Sequence, residues 1–169
     1  YGKNNIGIRY IKTNNNNKKI KKWRYNMEAL VLLGHGSRLP YSKEIVSEIA
    51  EKIKEKNIYD IVEIGMMEFN EPSIPQTINK VIAEGAKKII VVPVFLAHGN
   101  HTKRDIPQIL GLIECEEHHE HHHEHSHHHH HHHHGEKIEL PEDVEIIYRD
   151  PMGSDDRVVD IVLDRAKGN

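Results

Sequence analysis

One cysteine, Cys115, stands among 169 residues, so the chain can form no internal disulfide and no zinc site built on paired thiolates. Aromatic residues are also scarce, at one Trp, six Tyr and two Phe, which leaves the core to Ile, Val and Leu carried on regular elements. That composition suits an α/β domain. No apolar run approaches the ~20 residues of a membrane-spanning helix. The N-terminus is basic but lacks the apolar centre of a secretory signal. Together these absences point to a protein of the reducing cytoplasm. No Gly-x-x-x-x-Gly-Lys-Ser/Thr run occurs, no Gly-x-Gly-x-x-Gly follows a strand, and no nucleophile elbow is present. ATP hydrolysis, dinucleotide chemistry and ordinary serine hydrolysis therefore lack their machinery.

Charge is unevenly placed. The net charge is -3, yet residues 1–26 carry eight Lys or Arg and no acid, leaving 15 basic against 26 acidic residues, or -11, for the remainder. An acidic main domain does not suit nonspecific nucleic-acid binding. The leader, with Asn14 to Asn17 and a Lys/Arg cluster, has no sustained apolar periodicity and reads as a disordered basic arm. Met27, immediately before the first strand-like run, offers the alternative that residues 1–26 are not native to the domain.

From residue 27 onward, strand and helix patterns alternate. Residues 29–33 form a short apolar run, as expected of a parallel strand covered on both faces. Residues 42–56 place Ile45, Val46, Ile49 and Ile53 at helical spacing. A second strand fits residues 61–67. A second helix starts at Ser73, with Gln76 completing a capping box, and ends at Gly85. A third strand fits residues 89–96. Thr102 could cap a short helix running to Leu110, with Asp105 in the first turn, where the helix dipole favours an anion. A fourth strand fits residues 144–148, and Ser154 could cap a last helix carrying Val158, Ile161 and Val162 on one face. The expected fold is one small doubly wound domain, residues 27–169, with a four-stranded parallel sheet ordered 2-1-3-4. Residues 116–136 interrupt it. Positions 118–134 hold 14 His, two Glu and one Ser, a tract with no apolar residue to bury, so it reads as a disordered surface loop.

In a doubly wound sheet the site lies beyond the carboxyl ends of the strands, where strand order reverses. Under the assumed order, two loops meet there: Gly34-His35-Gly36-Ser37 after the first strand and His98-Gly99-Asn100-His101 after the third. Gly-His-Gly alone is a weak signal. Two histidine loops at one switch point favour a metal or proton-transfer site, since neutral imidazole suits Ni(II), Co(II), Fe(II) and Zn(II). Glu68 closes the second strand and could reach the same crevice. Glu71, ahead of Pro72, is the weaker carboxylate.

Three runs carry a family resemblance: Leu-Leu-Gly-His-Gly-Ser-Arg at 32–38, Glu-Pro-Ser-Ile-Pro at 71–75, and Val-Val-Pro-Val-Phe-Leu-Ala-His-Gly-Asn-His at 91–101. With Asp-Pro-Met-Gly at 150–153, the chain resembles the short archaeal sirohydrochlorin chelatases, the class II enzymes that work without ATP. The resemblance implies insertion of Co(II) or Ni(II) into sirohydrochlorin, toward cobalamin or the nickel coenzyme of methanogenesis. It implies no permanently bound cofactor, and a homodimer enclosing the macrocycle. His35 and His101 match the family's active-site histidines as bases and metal ligands, whereas His98 falls where the motif tolerates other residues. Ser37, Arg38, Lys103 and Arg104 are the nearest candidates to meet the carboxylates of the substrate. Two alternatives remain open at this point. One is a nickel or cobalt store built on the His-rich tract. The other is a histidine phosphatase, disfavoured because Gly34 stands where that chemistry needs an arginine.

A catalytic centre must hold its ligands in fixed geometry, which an unstructured tract does not. Deleting residues 118–134 should therefore leave sirohydrochlorin turnover intact at saturating metal. A folded deletion variant that is inactive under those conditions would place the tract in the reaction.

Overall fold

The computed structural model describes residues 26–114 and 137–168; the basic leader and the His-rich insert lie outside the described residues. Four strands, β1 Met27–Gly34, β2 Ile61–Met66, β3 Ala86–Pro93 and β4 Glu145–Tyr148, form one sheet ordered β2-β1-β3-β4, with every neighbouring pair parallel. The order is the expected one. β1 lies at its centre, paired with β2 from Ala29↔Ile61 to Gly34↔Met66 and with β3 as far as Leu33↔Pro93.

The helices are α1 Tyr41–Lys54, α2 Ile74–Ala83, α3 Ile106–Ile109 and α4 Asp156–Ala166. Odd-numbered residues of β1, Ala29, Val31 and Leu33, pack with Ile74, Ile78 and Val81 of α2 and Ile106 of α3 on one face of the sheet. Leu30 and Leu32 face the other way, against Val46 and Ala50 of α1. A central strand with a helix on each side must be apolar at every position, which is why β1 shows no alternation. α2 carries the expected capping box: Ser73 Oγ accepts from the Gln76 N–H, while Gln76 Oε1 accepts from the Ser73 N–H. Such a cap contributes about 1 kcal/mol. Among the described residues no helix is long and apolar enough to cross a membrane.

Several local expectations are corrected. β3 begins and ends three residues earlier than the apolar run suggested, at Pro93. Beyond it, the Val94 N–H turns to the Leu33 carbonyl, and the Phe95 and Leu96 carbonyls accept from Met152 and Gly153. Thr102 caps no helix. Its hydroxyl is committed to Gly99, accepting from that residue's N–H at 2.8 Å and donating to its carbonyl at 3.0 Å. Residues His101–Asp105 instead form a π turn, in which the Ile106 N–H reaches the His101 carbonyl. Pro107 accounts for this widening, because it has no N–H for the carbonyl four residues back and its ring crowds that carbonyl. The last helix is capped by Asp155, which accepts from the Arg157 N–H at 3.0 Å, and not by Ser154. α4 buries none of its residues: Ile161 is 58% and Val162 61% exposed, so its apolar face is uncovered in the single chain.

The β1 and β2 loops are sewn together by backbone bonds from Met67 to Gly34 and from Glu68 to His35. Gly36, at φ +91°, lies inside this seam, where a Cβ would stand 1.8 Å from the Glu68 carbonyl oxygen. Gly36→Ala should lower stability by more than about 2 kcal/mol, through left-handed strain and a clash with rigid backbone. Gly99→Ala, whose new methyl meets nothing within 4 Å, should cost less than about 1 kcal/mol. Urea denaturation of the two variants measures the contrast, and equal midpoints would refute it.

Candidate active site

The reversal of strand order places the carboxyl ends of β1 and β3 side by side, and with them the two histidine loops. The His35 and His101 rings meet edge to face, with centroids 5.0 Å apart and planes at 73°. Phe95, from the loop after β3, meets the His35 ring in the same manner at 6.2 Å. His35 is exposed and His101 half-buried, so the pair opens to solvent on a rigid floor.

Each imidazole has an acceptor at its Nδ1. For His35 this is the Gly36 carbonyl oxygen at 3.2 Å, and for His101 it is Asp105 Oδ2 at 2.9 Å. Burial pushes the Asp105 carboxyl up, but the donors Arg104 and His101 outweigh it and hold the group below the usual carboxylate value. A carbonyl oxygen or a carboxylate can only accept, so Nδ1 is the donor in each ring, and in the neutral imidazole the lone pair is then on Nε2. Two neighbouring neutral imidazoles can bind a divalent metal or take protons from a substrate.

The other residues singled out in the sequence fall around this pair. Glu68 is half-buried, with its backbone N–H on the His35 carbonyl. Among the described residues no group of three or more His, Cys, Asp or Glu could hold a metal ion, so neither Glu68 nor His98 completes a preformed three-ligand site with the pair. His98 is engaged elsewhere: its Nδ1 is 3.4 Å from the Thr102 hydroxyl and its Nε2 3.4 Å from Asp150 Oδ1. Glu71 closes a turn by accepting from the Ser73 N–H at 3.0 Å. Ser37 accepts from the Leu39 N–H through its hydroxyl, and its own N–H donates to Asn70 Oδ1 at 2.9 Å. The Arg38 guanidinium lies over the Phe69 ring, 5.6 Å from its centre. Arg104 donates from Nε to Asp105 Oδ1 at 2.9 Å, so part of its bonding capacity is spent on a carboxylate of the chain itself; Lys103 is exposed.

Sequence reading passed over several neighbours. Asp105 was noted only for its position in a helical turn, although the spacing His101 to Asp105 is the i, i+4 pair of a helix face. Tyr148 donates from its hydroxyl to the Thr102 carbonyl at 3.1 Å; burial, and then the nearby Asp150 charge, pushes its phenol up to about 12, so it remains a donor. The loops after the four strands also each expose one apolar side chain, Leu39, Phe69, Leu96 and Met152.

The CbiX family model matches residues 29–169. The sirohydrochlorin cobaltochelatase of Methanococcus aeolicus is 93% identical over 143 residues, covering 85% of this chain and 100% of that protein. That of Methanocaldococcus jannaschii is 72% identical over 142 residues, covering 84% and 99%. Among solved structures, the sirohydrochlorin chelatase SirB of Bacillus subtilis subspecies spizizenii, in complex with cobalt, superposes with a TM-score of 0.65 at 25% identity; the match takes in 84% of this chain but only 50% of that longer one. A CbiX protein of cobalamin biosynthesis from Marinobacter aquaeolei superposes at 0.58 with 25% identity, and here 95% of its length is covered. The family match runs from within β1 to the final residue, through both histidine loops and all four helices, and the chain is a member of the CbiX family.

Proposed function

We propose that this chain inserts Co(II) or Ni(II) into sirohydrochlorin in the cytoplasm without ATP, with His35 and His101 as the reacting pair. The observation that carries the reading is the 5.0 Å approach of two imidazoles whose Nδ1 positions are already taken. Similarity to sirohydrochlorin cobaltochelatases supplies the substrate, and the ring pair supplies the chemistry.

Insertion requires the metal to shed water and two pyrrole protons to leave the macrocycle. Two imidazole nitrogens in one place can replace water on the incoming ion and then accept protons as it transfers. A pair is better suited than a complete set of protein ligands. An ion held by three or four side chains is a resident one, whereas two leave open positions from which the metal can pass to the ring nitrogens.

Sirohydrochlorin is flat, with an apolar face and a rim of carboxylates. Leu39, Phe69, Leu96 and Met152 offer apolar contact around the histidines. Ser37, Arg38, Lys103 and Arg104 supply donors for the carboxylates. Glu68, beside His35, is a candidate proton acceptor of lower rank. His98, already between Thr102 and Asp150, takes a supporting place.

Both His35→Ala and His101→Ala should lose at least about 100-fold in turnover, and the double variant should be little worse than the poorer single one, because groups acting as a unit are not additive. His98→Ala should lose under about 10-fold, the smaller loss expected of a residue outside the reacting pair. The spectral change of sirohydrochlorin with Co(II) and with Ni(II) reads each rate and identifies the preferred metal. A crippled His98→Ala beside an intact His101→Ala would reverse the assignment.

The active form is a homodimer in this reading, since one domain supplies a single wall for the macrocycle. Support comes from α4, whose Val159, Ile161, Val162 and Leu163 are all exposed apolar side chains, a surface that single chains rarely leave to water. Light scattering should give twice the chain mass, and Ile161→Lys with Val162→Lys should halve it. A wild-type monomer with full turnover would sink this part.

A further inference from the structure

Asp105 is the half-buried carboxylate of the site to which the reaction as proposed gives no task. Its two oxygens are differently engaged: Oδ2 lies 2.9 Å from His101 Nδ1 and Oδ1 accepts from Arg104 Nε at 2.9 Å. Its backbone belongs to the π turn that also carries His101, so the two side chains stand four residues apart on one rigid turn. His35 differs, having only the neutral Gly36 carbonyl oxygen, 3.2 Å away. The two imidazoles thus share a tautomer but not a polarising partner, because an ionised acceptor makes the shorter, stronger bond and raises the basicity of the opposite nitrogen more.

We propose that Asp105 is a positioning residue that fixes His101 as its Nδ1-protonated tautomer and aims its Nε2 lone pair at the reacting centre, with Arg104 locking the carboxylate in place. The proposal rests on the reading of His35 and His101 given above and adds a difference between them: only His101 has a carboxylate to hold its ring in place. Arg104 is then occupied within the site, so Lys103 and Arg38 are left with the larger part in meeting substrate carboxylates.

The discriminating variant is Asp105→Asn, close to the original in shape. With Arg104 taking the amide oxygen, the amide NH2 faces His101 Nδ1, which must then accept. The proton moves to Nε2 and the lone pair is lost from the reactive side. Long-range proton–nitrogen NMR correlation on the 15N-labelled full chain identifies the tautomer, with the His101 signals assigned by their disappearance in His101→Gln. The expected result is an Nδ1-protonated His101 in the wild type, an Nε2-protonated one in Asp105→Asn, and a kcat about 10- to 100-fold lower with the KM for sirohydrochlorin little changed, the range typical of losing a carboxylate behind a metal-binding histidine. Asp105→Ala should also lose turnover, without imposing the Nε2-protonated form. Either an unchanged His101 tautomer in Asp105→Asn or turnover within about 2-fold of wild type would overturn the proposal, the latter lying far short of the usual cost of such a carboxylate. Because the spectrum is taken on the free protein, it decides the hydrogen-bond assignment independently. Undiminished chelation by His101→Ala would instead refute the reading of the pair.

Discussion

The ladder between β1 and β3 is the contact on which the site depends. In the order β2-β1-β3-β4 these two strands are neighbours in space although β2 and two helices separate them in the chain, and their register brings Leu33 opposite Pro93. Whatever follows Leu33 and whatever follows Pro93 must then emerge side by side. The Val94 N–H on the Leu33 carbonyl extends the join past the last paired residues, and the histidine loops begin from that joined edge. Burial of Ala29, Val31 and Leu33 on one face and Leu30 and Leu32 on the other holds the ladder in place. Slippage by one residue would send each set to the opposite helix layer.

Much of this was legible in the chain. Short apolar runs alternating with helical patterns implied a four-stranded parallel sheet, and the assumed order 2-1-3-4, which the structure has, implied the meeting of His35 with His101. Backbone hydrogen-bond competition was not legible. Thr102 looks like a helix cap because threonine so often is one, yet its hydroxyl is satisfied by Gly99 three residues earlier, and Pro107 removes the donor that an ordinary helix would need. The same uncertainty of one residue separates Ser154 from Asp155, two good caps side by side, of which Asp155 also forms a two-pronged pair with Arg157. The pairing of Asp105 with His101 was not legible for a related reason. Its meaning depends on the turn that carries it, a π turn that runs directly into Pro107.

Electrostatics pose the harder problem for this fold, since residues 27–169 carry a formal charge of -11 and the proposed substrate is itself a polycarboxylate. Bulk attraction cannot assemble that complex. Local arrangement has to. Arg38 is held over the Phe69 ring, on a residue whose φ of 62° turns the loop back on itself, so a cation and an apolar surface are presented together. Such a pairing suits a ligand that is apolar on its face and anionic at its edge.

The donor set also separates metal as cargo from metal as fixture. A resident ion is normally enclosed by three or four ligands whose outer shell is itself hydrogen-bonded. Among the described residues, Asp105 and the Gly36 carbonyl oxygen lie at the Nδ1 positions of two imidazoles, and no third His, Cys, Asp or Glu joins them as a metal-holding group. Orientation without enclosure favours transfer. An ion bound at two nitrogens keeps positions that an incoming macrocycle can fill, and each ring bond that forms weakens the hold of the imidazoles on the ion. Adding a third protein ligand would strengthen binding and slow release together. A site built on two oriented imidazoles thus suits an enzyme whose metal must leave in the product.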